Sequence, residues 1–359
     1  MADCIAKWVS MAFLAGPLVL FSERRFRNLP ELPQLASPLT LPALSIIVPA
    51  RNESVNLQRL LPTLTAISYP GKSELIVVDD SSTDETASIA SRHGAHVIQL
   101  NDLPEGWSGK THACHQGAMA ATGEWLLFTD ADTIHYPCGP AQAVAYANAN
   151  GLDGLSIWLR QMTSKGLDGL ALPVAFAGLF VGLAANNALI NGQYILLRHD
   201  VYKKSGGFSP VAAESMEDLA LGHRLQAKGY QVPLLRSDTV ASVQMYTDTS
   251  SLWQGLVRMG AGSLRWMGPR SIITALFITS VMTPILAIVK AFQLHRNRKW
   301  ALASWAVIAV SFVPWARRFG SAWLALLAPI GALMVQGAAV WGLLRRLFGR
   351  GTRWKGRQV

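Results

Sequence analysis

No acidic residue follows Asp248. Beyond it stand 15 of the 32 Lys and Arg residues and none of the 22 Asp and Glu residues. The body before that point holds 17 basic against 22 acidic residues and is slightly acidic. The cations of the tail punctuate long apolar runs. Ile272–Phe292 carries one charge, Lys290, and Trp300–Trp315 and Ser321–Leu344 follow. About 20 apolar residues cross a bilayer as a helix. A basic tail can bind nucleic acid. Cations spaced between apolar runs suit anionic phospholipid headgroups better, so we expect no nucleic-acid partner. Half of all residues are hydrophobic and 15% are charged, where a soluble domain has about 25% charged. That excludes disorder and an ordinary soluble enzyme. A globular body joined to membrane helices is left.

At the other end, the apolar run Trp8–Phe21 precedes Arg24, Arg25 and Arg27. A cleaved signal peptide carries its cations before the apolar run. The order here predicts an uncleaved anchor over residues 1–27 with its C-terminal end in the cytoplasm, because positive residues stay inside. A helix lying in the membrane plane is the alternative. The expected organisation continues with a cytoplasmic domain over 40–250 and an interfacial segment over 251–271. A membrane region of two to three spans over 272–346 and a basic tail over 347–359 complete it. Three spans would put the six basic residues between Arg345 and Arg357 outside. Two spans or a re-entrant hairpin would keep them inside, which the positive-inside tendency favours. The cysteines, Cys4, Cys114 and Cys138, are odd in number and show no CxxC spacing. No disulfide framework is expected, and the body belongs in a reducing compartment.

Within the body, strands alternate with helices. Leu44–Val48, Glu74–Val78, Ala95–Leu100 and Trp125–Phe128 read as buried strands. Residues 56–64, about 83–93 and 110–121 read as helices. That alternation predicts a mostly parallel sheet with helices on both faces, and ligands bind beyond the carboxyl ends of such strands. Polar clusters stand at those ends: Pro49-Ala50-Arg51-Asn52-Glu53, Asp79-Asp80, and Asp130-Ala131-Asp132. No GxGxxG or GxxxxGK[ST] accompanies them, so neither a dinucleotide site nor a P-loop is supported.

Each cluster has a chemical and a structural reading. Asp130 and Asp132 can hold Mg or Mn against a diphosphate, since hard cations prefer oxygen; a solvated turn is the plain alternative. Asp79 and Asp80 can accept hydrogen bonds from a base or ribose, or Asp80 or Ser82 can cap the next helix. Gly106-Trp107-Ser108-Gly109-Lys110 opens a helix with free amides and a cation suited to phosphate, or is a surface turn. Glu217-Asp218 opens another helix, where acids favour the N-terminus; one of them can also act as a general base. His112, Cys114 and His115 match no zinc spacing and read as packing residues. The uncharged run Gly169–Ala185 is either a buried core helix or a segment dipping into the near leaflet.

Taken in order, these elements resemble glycosyltransferase family 2 over about residues 44 to 240. The resemblance rests on V-P-A-R-N-E (Val48–Glu53), V-D-D-S-S-T-D (Val78–Asp84), Gly109-Lys110 and the D-x-D of Asp130-Ala131-Asp132. A G-x-x-x-L-x-R strand (Gly192–Arg198), G-G-F (Gly206–Phe208) and E-D-x-x-L (Glu217–Leu221) complete it. It implies the A-type glycosyltransferase fold and a nucleotide-sugar donor, most often a UDP-sugar. Pro49, Arg51, Glu53 and Asp80 would line the nucleotide pocket, with Asp80 at the uracil. Lys110 would meet the diphosphate, Asp130 the ribose, and Asp130 and Asp132 a divalent cation, Mn or Mg. Asp218 would be the base of an inverting transfer.

Within the family, the chain is similar to membrane-bound enzymes that glycosylate lipids, such as hopanoid-associated, carotenoid and ceramide glucosyltransferases. That implies a multi-pass membrane protein with a membrane lipid acceptor. Processive synthases carry Q-x-x-R-W, and Gly262 replaces the Gln before Arg265-Trp266 here. This departure argues against a processive synthase. Glu217, Arg265 and Trp266 are expected to shape the acceptor region, although Arg265 and Trp266 read equally well as an interfacial anchor. A polyprenyl-phosphate glycosyl synthase, a short-glycan synthase and a non-catalytic scaffold are the alternatives.

Overall fold

In the computed structural model the chain begins with α1 (Ala2–Arg27), β1 (Leu44–Ala50), α2 (Ser54–Thr65), β2 (Ser73–Asp80) and α3 (Thr86–Arg92). Next come β3 (His96–Leu100), α4 (Gly109–Ala120), β4 (Trp125–Thr129), β5 (Thr133–His135), α5 (Gly139–Ala149) and β6 (Gly154–Gln161). Then follow α6 (Asp168–Gly182), β7 (Tyr194–Arg198), α7 (His199–Ser205), α8 (Glu217–Ala227) and β8 (Leu234–Val243). Four helices, α9 (Thr249–Met267), α10 (Arg270–Gln293), α11 (Arg298–Arg318) and α12 (Ala328–Leu347), lead to the C-terminal segment. The structure describes residues 2–34, 40–164, 166–183, 189–214, 216–348, 353–354 and 357–358, with backbone alone at 2–3, 263–267 and the last two pairs. Two compact units form: Leu29–Arg160 with Asn186–Val243, and Met1–Asn28 with Gln161–Ala185 and Gln244–Val359.

The first unit is built on an eight-stranded sheet of order β3-β2-β1-β4-β7-β6-β8-β5. The expected parallel sheet is only half of it. β3, β2, β1 and β4 are parallel, with Ile47 opposite both Ile76 and Phe128. β7 runs antiparallel to β4 and β6, and β5 antiparallel to β8. The βα alternation that enforces parallel pairing holds through β4. After it, β7 enters between β4 and β6 in the opposite direction. Ile46, Ile47 and Val48 of β1 are all buried, because a central parallel strand is covered on both faces. Leu57, Leu60, Leu61 and Leu64 form the buried stripe of α2, at the spacing of one helical face. Each contributes about 1.5–3 kcal/mol by leaving water. Gly117 lets α4 lie directly on the sheet: a Cβ there would come within 2.5 Å of Ile47 Cγ2.

The second unit is helical. Near their C-terminal ends, Trp315 Nε1 of α11 donates to Ser22 Oγ of α1 (3.0 Å), and Arg318 pairs with Glu23 (2.7 Å). Near their N-terminal ends, Ile5 and Val9 share a cluster with Ala301. α1 and α11 therefore run parallel. Ala287 and Ala291, late in α10, join the same cluster, so α10 runs the other way. This brings Arg24, Arg25, Arg27, Arg270, Arg317 and Arg318 to one end of the three helices. α12 packs against α9 through glycine: a Cβ at Gly260 would lie 2.5 Å from Ala339 Cα, and one at Gly342 2.5 Å from the Val257 carbonyl. Such small residues let membrane helices approach closely. Among the described residues, Cys4–Arg27, Arg270–Gln293, Arg298–Arg318 and Ala322–Leu347 are long and apolar enough to cross a membrane.

α6 belongs to this helical unit rather than to the sheet unit. Phe180 rings meet Phe26 and Trp315 at 5.5 and 5.8 Å, and Phe176 stacks on Phe319 at 5.6 Å. A Cβ at Gly331 would lie 2.2 Å from the Leu170 carbonyl. Arg25 caps the end of α6 by donating to the Phe180 and Leu183 carbonyls (2.9 and 2.7 Å). At 15 residues the helix is shorter than a span, and nearly all of it is buried.

Candidate active site

Five segments of the sheet unit meet in a small recess whose lining includes Pro49, Lys110, Asp130, Gly192 and Glu217. Pro49 is the penultimate residue of β1. Lys110 comes from the first turn of α4, where Ser108 caps the helix by accepting from Thr111 N (3.3 Å). The Ala212 carbonyl accepts from Ser108 N (2.7 Å) and Thr111 Oγ1 (2.6 Å). This ties the Gly106–Lys110 loop to the segment that leads into α8. Asp130 follows β4 directly, and Glu217 and Asp218 open α8.

Lys110 is the hub. Its Nζ lies 2.8 Å from Asp130 Oδ1 and 2.8 Å from Glu217 Oε1. Burial works against its ammonium, yet Asp130 and Glu217 outweigh it and hold the pKa well above the ordinary lysine value. Asp218 accepts from Gly192 N (3.0 Å) and Leu219 N (2.8 Å). Burial and the neighbouring Glu217 push its carboxyl up to about 6, against the pull of Lys110 and the two amides. A methyl group at Gly192 would sit 3.2 Å from Asp218 Oδ2 and 3.3 Å from Lys110 Nζ. Gly192 therefore keeps open the space where the two side chains converge. Asp132 lies on the same turn as Asp130 and is half-buried.

The loops after β1 and β2 form a second, adjoining group, joined rung by rung. Arg51 donates to the Asp80 and Ser81 carbonyls and stands 3.8 Å from Asp80 Oδ2. Asn52 N donates to Ser82 Oγ (2.9 Å), and Asn52 Oδ1 accepts from Thr83 N (2.8 Å). Glu53 N donates to Thr86 Oγ1 (2.9 Å), and Ser54 N to Asp84 Oδ2 (3.1 Å). Glu53 Oε2 accepts from Asn56 Nδ2 (2.7 Å). Asn52 and Ser81 carry positive φ, 50° and 53°, where the chain leaves each strand. Of the acidic pair, Asp79 closes the local turn, accepting from Ser82 N (3.2 Å) and Ser82 Oγ, and neither caps α3, whose N-cap is Glu85. Asp80 is the one beside Arg51.

The structure thus brings Pro49, Lys110, Asp130, Glu217 and Asp218 together, with Arg51, Glu53 and Asp80 in the adjoining loops. Arg265 and Trp266 lie on α9 in the helical unit; their side chains fall outside the described residues. His112 and His115 pack against Trp107, with ring centroids 5.4 and 5.1 Å apart, and His115 Nδ1 is 3.2 Å from Tyr202 Oη. Among the described residues no group of three or more His, Cys, Asp or Glu is placed to hold a metal ion. Asp130 and Asp132 remain as hard oxygen donors. Sequence reasoning quoted Gly192 but missed its role. Its signal was a glycine just before a strand, which marks a close approach.

A mixed α/β sheet thus carries a Lys–carboxylate cluster at the ends of its central strands. The mannosyltransferase PcManGT from Pyrobaculum calidifontis, solved in complex with GDP-Man and Mn2+, shares that fold. The TM-score is 0.57 at 20% identity, covering 97% of this chain and 99% of that one. The fold is the A-type glycosyltransferase fold with long apolar helices added. Residues 45–165 match the model of glycosyl transferase family 2. The 4,4'-diaponeurosporenoate glycosyltransferases of Staphylococcus aureus strains MRSA252 and USA300 are each 29% identical over 239 residues, 62% of this chain. The chain spans 63% of the length of these curated relatives.

Proposed function

We propose that the protein is an inverting glycosyltransferase that moves a sugar from a nucleotide-sugar, a UDP-sugar by preference, to a hydroxyl of a membrane lipid. The observation that carries this reading is the convergence of Lys110 and Asp218 on the space beside Gly192. One side of that space is cationic and faces the departing diphosphate. The other holds a carboxylate whose raised pKa suits proton transfer near neutral pH. The acceptor oxygen attacks the anomeric carbon opposite the leaving group. The new C–O bond forms as the bond to the diphosphate breaks, and Asp218 Oδ takes the acceptor's proton. Lys110 offsets the charge that builds on the departing phosphate.

Asp130 and Asp132 are the residues that would hold a divalent cation, with the diphosphate and water supplying further oxygen ligands. Such a cation, when bound, supplies Lewis-acid stabilisation of the leaving phosphate. Arg51 and Asp80 would form the wall against the nucleoside, and Pro49 and Glu53 its floor and edge. Glu217 holds Lys110 from the acceptor side.

The four apolar helices support a multi-pass membrane protein. The arginines gathered where α1 and α11 end would meet anionic phospholipid on the cytoplasmic side. A lipid acceptor follows from that setting, with Arg265 and Trp266 of α9 near the interface.

The test is nucleotide release by the purified, detergent-solubilised chain, with a panel of nucleotide sugars, with and without Mn, and with total membrane lipid added. Release from one donor, raised by lipid and accompanied by a glycosylated lipid in mass spectra, supports the reading. A glycosyl polyprenyl phosphate or a polymer as product would replace the acceptor class. No release with any donor would overturn it.

A further inference from the structure

Behind the acidic turn lies a buried polar group that the transfer chemistry does not use. Thr129, Thr133, His135 and Gln193 are all buried. Thr129 Oγ1 is 3.0 Å from Thr133 Oγ1, 3.0 Å from His135 Nε2 and 3.1 Å from the Gln193 carbonyl. Thr133 Oγ1 donates to the Asp130 carbonyl (2.8 Å). Asn191 Nδ2 donates to Gln193 Oε1 (3.1 Å), and the adjoining Gly192 N donates to Asp218. One hydroxyl therefore touches the turn that carries Asp130 and the turn that orients Asp218.

Proton arithmetic fixes the roles. Carbonyls only accept, so the Thr133 proton goes to Asp130. The single Thr129 proton faces the Gln193 carbonyl and the Thr133 oxygen. His135 must then supply the third contact, which requires a proton on Nε2. Its Nδ1 has no hydrogen-bond partner among the described residues and is the bare acceptor. A proton there would be a buried donor without an acceptor, which is costly. Burial accordingly pushes the imidazole pKa down to about 3, and the ring stays neutral.

We propose that Thr129 is a positioning residue for the transfer reaction: its hydroxyl, held by the Nε2–H tautomer of His135, locks the Asp130 turn to the Gln193–Gly192 turn and so sets Asp218 against the donor site. This rests on the transferase reading given above. A misplacement of about 1 Å at a reacting centre can cost about 100-fold in rate.

The experiment compares Thr129→Val, which keeps the shape and loses the hydroxyl, with Thr129→Ser, which keeps the hydroxyl. Transfer kinetics and hydrogen exchange are measured on the full chain in detergent. Thr129→Val should lower kcat by about 10- to 100-fold and leave the donor KM within about 2-fold, and Thr129→Ser should restore most of kcat. In exchange, Thr129→Val should raise uptake in both 130–133 and 191–194, and Thr129→Ser in neither. His135→Gln, which retains a donor, should resemble wild type, and His135→Leu should resemble Thr129→Val. Unchanged exchange in either segment for Thr129→Val would overturn the proposal. So would a loss of rate that Thr129→Ser does not restore. A wild-type chain that transfers no sugar would defeat the proposed function, and the exchange comparison would still decide whether Thr129 joins the two turns.

Discussion

The two compact units treat charge in opposite ways. In the helical unit, Glu23 is buried and closed off by Arg27 and Arg318, both at 2.7 Å. Arg318 also lies over the Phe26 ring at 4.2 Å. Those charges neutralise one another within the packing. In the sheet unit, Lys110 is shared between Asp130 and Glu217 at the rim of a recess, and Asp218 is held by two backbone amides beside it. Gly260, Gly331 and Gly342 let helices touch, and Gly117 lets α4 meet the sheet, while Gly192 keeps space beside Asp218 and Lys110. The difference teaches where a substitution should act. Changes at the recess should alter rate and spare the fold. Changes at the helical contacts should alter the fold and spare the rate per folded molecule.

The largest expected effect falls on Asp218. Asp218→Asn keeps the shape and removes the proton acceptor, so transfer should fall by about 1,000-fold or more. Nucleotide binding by calorimetry and the melting temperature should stay near wild type. A mutant that melts early would dissolve the contrast between the units.

Arg318→Leu comes next and should behave in the reverse way. It leaves buried Glu23 with the exposed Arg27 alone, a loss of about 2–4 kcal/mol that detergent-resistant melting would detect. Activity per folded molecule should be unchanged.

Smaller still is Gly331→Ala, whose methyl would run into the Leu170 carbonyl at 2.2 Å. Separating α12 from α6 should cost about 1–3 kcal/mol. Gly337→Ala is its control. The same methyl there meets only Trp253 at 3.9 Å, and helix propensity should give a gain of at most about 1 kcal/mol. Equal melting of the two variants would refute the close-approach account of α12.

The sequence made the parallel half of the sheet legible, because β1, β2 and β4 each hold a short apolar run followed by a polar cluster. Those clusters also marked the recess. Less of the second half could be read. β6, β7 and β8 pair across long sequence separations, and their antiparallel direction has no local signature. The place of α6 was open for a similar reason: an apolar helix looks alike whether it packs on a sheet or among other helices. At the site, residue types were visible but partnerships were not. Nothing local shows that Arg51 stands by Asp80 rather than Asp79, or that Thr129 reaches Gln193, 64 residues away. The sharing of Lys110 between Asp130 and Glu217 joins three separate elements and needed the fold itself.

The central claim is that Asp218 accepts the acceptor's proton. The most direct test is the rate of sugar transfer against pH at saturating donor. Only the ionised carboxylate can take a proton, and burial with Glu217 favours the protonated form. The rate should therefore be level above the raised value, about 6. Below it, the rate should fall about tenfold per pH unit. Asp218→Asn should lack this limb. A wild-type rate that stays flat down to about pH 4.5, well under a base of raised pKa, would contradict the account.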